Sequence, residues 1–335
     1  MKTISTKDFS SLIGVSPHLI YKIIKERRLP VIPVGNKKAL PPETVREILE
    51  LRGYPFKRED ERPHIINVFG MKGGIGKTSI ATAVIEGASR LGFKVLGVDL
   101  DMQGNLTQSF NMKKQGQPVL YHAIIGESPI EKVIRPVTDN LHLLPSSLDN
   151  SQLEHVINSQ QSINITSFLD DLLDPVRDQY DLIVIDCPPA INKITVSAAC
   201  FATENLIPVN ADLDSFDGVV MTVSEIEKIE KSFKNLSMTV NYKIIFNKYD
   251  AREKLSLSIM GSISEKSNLR ENMLPIVIRT NTAFKNTKAD GEYVFDAKSS
   301  SAKEDCYALI SEITGLNEWV SKSKSSSKSN IEEFA

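Results

Sequence analysis

The stretch "IINVFGMKGGIGKTSIATAVIEGASRLG", residues 65–92, constrains this chain more than any other. Its front, "IINVF", is an apolar run that reads as a buried strand. Its back places Ile80, Ala81, Val84, Ile85 and Ala88 at helical spacing. Between them lies a glycine-rich turn, where backbone N–H groups converge on phosphate oxygens at a helix N-terminus. Gly73, Gly74, Ile75 and Gly76 form the expected cradle, with Ser79 at its exit. Lys77 is expected to reach the β- and γ-phosphates, and the Thr78 hydroxyl to ligate Mg²⁺. The common pattern G-x-x-x-x-G-K-[ST] is broken at Met71, where its first glycine should stand, and a second lysine, Lys72, follows. A loop that already holds Lys77 has no room for another lysine on the same oxygens. Lys72 is therefore expected to point outward, toward the phosphates of a facing protomer.

Apolar β-branched runs alternate with helical patterns from residue 65 to about 316: "KVLGVDL", "NLHLL", "DLIVID", "ENLIPVN", "YKIIFN" and "LPIVI". That alternation implies a parallel sheet with helices on both faces. In such a sheet the carboxyl ends of the strands lie on the edge that carries the phosphate loop. Asp99 and Asp101 in "VDLDMQGNLT" and Asp186 in "VIDCPPA" fall at those ends, so all three can face one Mg·ATP. A chain of 335 residues is long enough for this core and a second, smaller unit. The formal charge is −2, yet residues 1–62 hold 13 Lys and Arg against 8 Asp and Glu, so the front is basic. Three cysteines without C-x-x-C spacing and five scattered histidines argue against a disulfide framework or a zinc site. The polar start "MKTISTKDFS" has no signal-peptide core, and no apolar run approaches the roughly 18 residues that span a bilayer. The chain is expected in the cytoplasm.

"MKGGIGKTS" is similar to the deviant Walker loop K-G-G-x-G-K-[ST], shared by ParA, MinD and the nitrogenase iron protein. The resemblance covers Ile65 to Leu316 and implies a SIMIBI-like P-loop NTPase in which Lys72 acts across a nucleotide-sandwich dimer. "DLDMQGNLT" resembles the family's second loop, with Met102 where proline is usual, a departure expected to loosen it. By that resemblance Asp101 positions the attacking water and Asp186 is the Walker B carboxylate near Mg²⁺, with Gln103 and Asn105 as helpers. "NKYD", residues 247–250, matches the guanine-reading N-K-x-D of GTPases, but the D-x-x-G that accompanies it is replaced by "DCPPA". "NKYDAREKL" instead resembles a ParA segment, and Asn247 is expected to contact the adenine edge. Cys187 and Cys200 are poor cluster ligands, which sets the iron protein aside. The "KSKSSSKS" tail lacks the apolar face of a membrane-targeting helix, which sets MinD aside. ParA remains.

The first 55 residues have a different rhythm. Ser5 with Asp8 is expected to cap a first helix, Gly14 to close it, and Ser16 with Pro17 to start a second. Leu19, Ile20, Ile23 and Ile24 give that second helix a core face, while His18, Tyr21, Lys22, Lys25 and Arg28 face out. "LPVIPVGNKKALPPETVREIL" then reads as a hairpin with a Gly35–Asn36 tip, a Lys37–Lys38 wing, and a helix begun by Pro42. The order resembles a winged, MerR-like helix-turn-helix, with Ser16, His18, Tyr21, Lys22 and Lys25 toward the major groove and the wing lysines on phosphate.

The expected architecture is therefore α/β: a parallel-sheet ATPase domain (65–316) preceded by a small, mostly helical winged helix-turn-helix domain (1–55). A linker joins them (56–64), and a disordered Ser/Lys-rich tail follows (317–335). The resemblance to type Ia partition ATPases implies ATP and Mg²⁺ as cofactors and an ATP-dependent homodimer on DNA without sequence preference. It also implies a ParB-like centromere-binding partner that stimulates hydrolysis, repression of the partition operon, and a nucleoid-associated location with no membrane. Arg270, Arg279, Lys285, Lys288 and Lys298 are the candidate non-specific DNA contacts. A nucleotide-gated repressor and a ParA relative that positions a protein cargo are the alternatives.

Overall fold

The computed structural model describes residues 2–35, 37–112, 116–159, 164–236, 238–284, 292–297 and 300–332. The N-terminal part runs β1 (Ile4–Ser5), α1 (Thr6–Leu12), α2 (Pro17–Arg27), β2 (Ile32–Val34), β3 (Lys37–Leu40) and α3 (Pro42–Leu51). The body follows with β4 (His64–Val68), α4 (Lys77–Arg90), β5 (Val95–Asp99), α5 (Asn105–Ser109), α6 (Leu120–Ile124), α7 (Ile130–Val133), β6 (Arg135–Thr138) and β7 (Leu141–Leu144). Next come α8 (Leu153–Ser159), α9 (Phe168–Arg177), β8 (Leu182–Asp186), α10 (Lys193–Phe201), β9 (Glu204–Val209), α11 (Leu213–Ser232), β10 (Tyr242–Tyr249), α12 (Lys254–Glu265), α13 (Ser267–Glu271) and β11 (Met273–Arg279). Two helices close the chain, Ser300–Ile313 and Leu316–Glu332.

Eight strands form the main sheet in the order β11-β10-β9-β4-β8-β5-β7-β6. Every pairing is parallel except that of β6 with β7. Successive strand residues point to opposite faces, and both faces are covered, which is why the strands read as unbroken apolar runs. Ile66, Val95 and Val184 enter one core with α4 and the penultimate helix, while Ile65, Leu96 and Ile183 enter the other with α8 to α12. The strand β4 leads into the phosphate loop. The chain then passes over β8 to reach β5, so the ends of β4, β8 and β5 lie side by side. Val68 and Asp99 are both register partners of Asp186. The seven strands expected from sequence are present. The edge strand β6 is additional; its four residues include Pro136, which an edge tolerates because one N–H row stays unpaired there.

Local signals in the N-terminal part operate as expected. The Ser5 hydroxyl accepts from the Asp8 amide at 3.0 Å, and the Ser16 hydroxyl from the Leu19 amide at 3.2 Å. Gly14 ends α1 at φ 65, in the left-handed region. Strand β3 pairs antiparallel with β2 as a wing and also with β1.

Residues 56–64 are not a free linker. Tyr54 and Phe56 are buried, their rings stacked edge-on with Phe93 and Trp319. The Tyr54 hydroxyl donates to the Thr314 carbonyl at 2.9 Å. Arg46 on α3 donates to Asp181 at 2.6 Å and to the Gly92 carbonyl at 3.0 Å. Gly92 is required there: a Cβ would lie 2.8 Å from backbone atoms of Pro42 and Arg46. Ile4, Phe9, Ile20, Val45 and Ile48 belong to the same core as α4 and the last two helices. The tail expected to be disordered is helical as far as Glu332, and residues 333–335 lie outside the described residues. Leu316 and Val320 are buried, so the first turn is pinned to the core and the helix continues through Ser and Lys to Glu332. The reading failed because composition does not reveal a buried anchor upstream of a polar stretch.

Candidate nucleotide site

The phosphate loop has the conformation its glycines permit. Gly74 and Gly76 take φ 76 and φ 93. A Cβ on Gly76 would come within 2.4 Å of Asn247 Nδ2, so only glycine allows this approach. Neighbouring strand ends hold the loop from outside. Asn247 Nδ2 donates to the Ile75 carbonyl at 2.8 Å, and Lys248 Nζ to the Gly74 carbonyl at 3.2 Å. The Met71 amide donates to the Thr222 hydroxyl of α11 at 3.2 Å. With its outer groups bonded to protein, the loop is a preorganised anion cradle.

The Asn247 side chain is buried, and its amide donates to Ile75 and, at 3.3 Å, to Asn210 Oδ1. Asn210, Lys248 and Thr222 were missed by sequence reasoning. For the first two the available signal was their place at strand ends on the loop edge.

The two lysines diverge. Lys77 is buried, and Nζ donates to the Gly70 and Lys72 carbonyls at 2.9 Å each. Burial lowers its pKa from the ordinary lysine value, against the opposing field of Asp186. Lys72 leaves the loop on the other side and is ion-paired with Asp212, with Ser215 Oγ at 3.3 Å and Asp214 at 3.8 Å. Asp212 is the N-cap of α11 and accepts from the Ser215 amide at 2.7 Å. Partial burial would raise its carboxyl, but the bonds from Lys72 and Ser215 hold it below the ordinary range.

The carboxylates gather as the strand ends dictate. Asp99 is buried and accepts from the Thr107 amide at 2.8 Å and the Thr107 hydroxyl at 2.7 Å. Burial raises it to about 6 despite those bonds. Its other oxygen accepts from the Asp101 amide at 3.2 Å, so Asp99 shapes the loop that presents Asp101. Asp101 is half-buried and accepts from the Gln103 amide at 2.9 Å, which fixes Gln103 beside it. Asp186 is 1 % exposed, and neither carboxylate oxygen has a hydrogen-bond partner among the described residues. Burial and neighbouring Asp99 push it up to about 8, while the Thr78 hydroxyl and Lys77 act the other way. An orphaned buried carboxylate beside Thr78 and a phosphate cradle fits a divalent cation carried on a nucleotide.

Cys187 is buried and donates to Asn67 Oδ1 at 3.1 Å. Thr78 and Ser79 also line a cavity of about 120 Å³ along α4 with Thr82 and Gln108. On the N-terminal unit, Ser16, His18, Tyr21, Lys22 and Lys25 are exposed along α2, and Lys37 and Lys38 on the wing. Lys38 Nζ stacks 5.8 Å from the Tyr21 ring centroid, bringing wing and helix together. Arg279 is exposed, its guanidinium forked on Asp305 at 2.6 to 3.0 Å. Arg270 is exposed on α13; Lys285, Lys288 and Lys298 lie outside the described residues.

Fold and site together define a P-loop nucleotide hydrolase with carboxylates converging on its phosphate cradle. The AAA_31 family model, described as an AAA domain, matches residues 63–240. The chain belongs to this family and is a ParA-type Walker ATPase. It is 29 % identical over 315 residues to the cell division protein PomZ of Myxococcus xanthus, covering 93 % of this chain and 92 % of that one. It is also 29 % identical over 194 residues to the chromosome-partitioning ATPase Soj of Treponema pallidum, covering 58 % and 74 %. Among solved structures, the ATP complex of a Cyanothece McdA superposes with a TM-score of 0.66 at 20 % identity, over 76 % of this chain and 97 % of that one. That likeness concerns the fold. Among the described residues no helix is long and apolar enough to cross a membrane.

Proposed function

We propose that this chain is a DNA-partition ATPase that works as an ATP-closed pair of copies. The observation that carries the reading is the divergence of the two loop lysines: Lys77 turns inward beneath the cradle while Lys72 stands at its rim. A rim lysine is placed to reach a triphosphate presented by a second copy. The residues fit Mg·ATP. Gly73 to Gly76 would hold the phosphates through backbone N–H groups, and Thr78 and Asp186 would hold Mg²⁺, which neutralises charge on the phosphate oxygens. Lys77 swings from its carbonyls to the β- and γ-oxygens. Asp101, steadied by Asp99 and the Gln103 amide, orients the attacking water. For Lys72, the exchange is from Asp212 in its own chain to phosphate in the other.

The relatives support an engine for positioning DNA or cargo, one being a partitioning ATPase and another a cell division protein. In this chain the dimer binds DNA without sequence preference, and a ParB-like partner triggers hydrolysis. The N-terminal unit, with its exposed α2 face and wing lysines, binds an operator and represses transcription. Lys72→Ala tests the core of this reading. It is expected to bind ATP normally yet fail to dimerise or hydrolyse, and normal stimulated turnover would defeat it.

A second reading has its own observation. The N-terminal unit shares one apolar core with α4, the helix that begins at Lys77, which suits a nucleotide-gated repressor. Deleting residues 1–55 would strip that core, so the discriminating variant is Lys22→Ala with Lys25→Ala. If ATP-dependent binding to arbitrary DNA survives, the motor reading holds. If all DNA binding is lost, the repressor reading replaces it.

A further inference from the structure

One buried cation has no place in the nucleotide chemistry described above. Lys2 precedes β1, and Nζ is enclosed, without a hydrogen-bond partner among the described residues. It lies 4.1 Å from the ring centroid of Tyr293 and 5.1 Å from that of Phe110. Those rings are 5.5 Å apart, so one ammonium bridges both faces. Around it sits a balanced charge cluster. Arg90 on α4 donates to Glu86 Oε1 at 2.5 Å, to Asp296 at 2.6 Å, and to the Thr3 carbonyl next to Lys2 at 2.8 Å. The second Glu86 oxygen is buried without a hydrogen-bond partner among the described residues, and the Glu86 charge acts on Lys2 through space.

Phe110 gives this cation its significance. It caps the C-terminus of α5, a helix of five residues. Within that helix, Thr107 grips Asp99 with both amide and hydroxyl, and Asp99 in turn accepts from the Asp101 amide. Thr107 and the buried Leu106 fix the start of this five-residue helix and Phe110 fixes its end, so a shift at Phe110 is passed along the helix to Thr107. We infer that Lys2 is a positioning residue for hydrolysis: by clasping Phe110 and Tyr293 it fixes α5 and thereby the Asp99–Asp101 loop. The inference rests on the proposed role of Asp101. It also ties the loop to the wing, because β1 pairs with β3 through Ile4–Leu40 and Ser5–Ala39.

Burial lowers the Lys2 ammonium to about 8, with Glu86 and Asp296 opposing and Arg90 adding to the fall. The groups facing it are thus Glu86 and Arg90 from α4 and Tyr293 and Asp296 from the 292–297 segment. With the folded pKa lowered, the cation is present below about pH 8 and lost above it. The bridge between the rings should go with it.

The experiment measures steady-state ATP hydrolysis from pH 6.5 to 9.5 for the full chain, Lys2→Met, Lys2→Arg, Phe110→Leu and Asp101→Asn. Lys2→Met should lower kcat about three- to tenfold at pH 7 with little change in KM, the pattern of a lost transition-state contribution. Lys2→Arg, always charged, should keep kcat and remove the decline above pH 8. The wild-type kcat should fall toward the Lys2→Met value as pH rises. Should Lys2→Met melt early, Phe110→Leu keeps the cation and removes one ring, and should show the same loss of kcat. Wild-type kcat and pH profile in both Lys2→Met and Phe110→Leu overturn the inference, as does an equal loss in Lys2→Arg. Undiminished hydrolysis by Asp101→Asn would instead overturn the proposed role of Asp101, whatever the Lys2 variants do.

Discussion

The ion pair that holds Lys72 within its own chain makes a quantitative prediction. In the proposed ATP-closed pair each copy would give up the Lys72–Asp212 contact as Lys72 crosses to the facing nucleotide, so the pair would oppose closure. Its side chains are 28 % and 42 % exposed, which places it in the solvent-screened class. Such a pair contributes about 0.5 kcal/mol. Two break per closure, giving about 1 kcal/mol, or roughly a fivefold change in dimer dissociation constant. Asp212→Asn removes the shorter of the two ion pairs of Lys72 and leaves Asp214 at 3.8 Å. Asparagine caps a helix as well as aspartate does, so the bond from the Ser215 amide and the start of α11 should survive. The assay is sedimentation equilibrium with a non-hydrolysable ATP analogue at about 0.1 M and 0.5 M salt, the second being well screened. The variant should dimerise about fivefold more tightly at low salt, with the gap narrowing at high salt, and its melting temperature should hold. An unchanged or weaker dimer would refute the idea that Asp212 restrains Lys72.

Other perturbations follow from the same geometry. Lys77→Ala should abolish nucleotide binding itself, measured by calorimetry with ATP, because the inward cation is the loop's own phosphate partner. Gly76→Ala should do likewise without unfolding the chain, since a methyl group would meet Asn247 at 2.4 Å and force the cradle open; normal ATP affinity would show that the loop relaxes freely. Tyr54→Phe removes a buried bond between the first 56 residues and Thr314 and should cost about 1 kcal/mol of unfolding free energy by denaturant titration. Gly92→Val should destabilise more, by about 2 kcal/mol or above, because φ 84 and two backbone contacts at 2.8 Å both resist it.

The engine was legible in sequence for a physical reason. Phosphate binding, strand and helix are contiguous in "IINVFGMKGGIGKTS", so local pattern and local chemistry coincide there. Asp99, Asp101 and Asp186 were legible because parallel strands must deliver their carboxyl ends to one edge. What stayed hidden depends on partners remote in the chain. Asp212 lies 140 residues from the lysine it holds, and nothing in "NADLDSF" marks it out. Asn247 matched a base-reading pattern, yet its amide is spent on Ile75, 172 residues earlier, through an approach that Gly76 alone permits. The tail misled because serine and lysine describe its surface, whereas Leu316 and Val320 decide its attachment. Charge counting singled out Arg279 without revealing its remote carboxylate partner, Asp305.

The joint between the two ends of the chain governs how the protein comes into being. Tyr54 meets Thr314 across 260 residues of sequence. On a ribosome adding about 5–20 residues per second, that interval lasts on the order of 13 to 50 seconds. Throughout it the nascent first unit carries Tyr54 without Trp319 to cover it, an oily flank open to chaperones or to neighbouring chains. The segment around Thr314 and Trp319 must be made before the opening residues find their permanent seat.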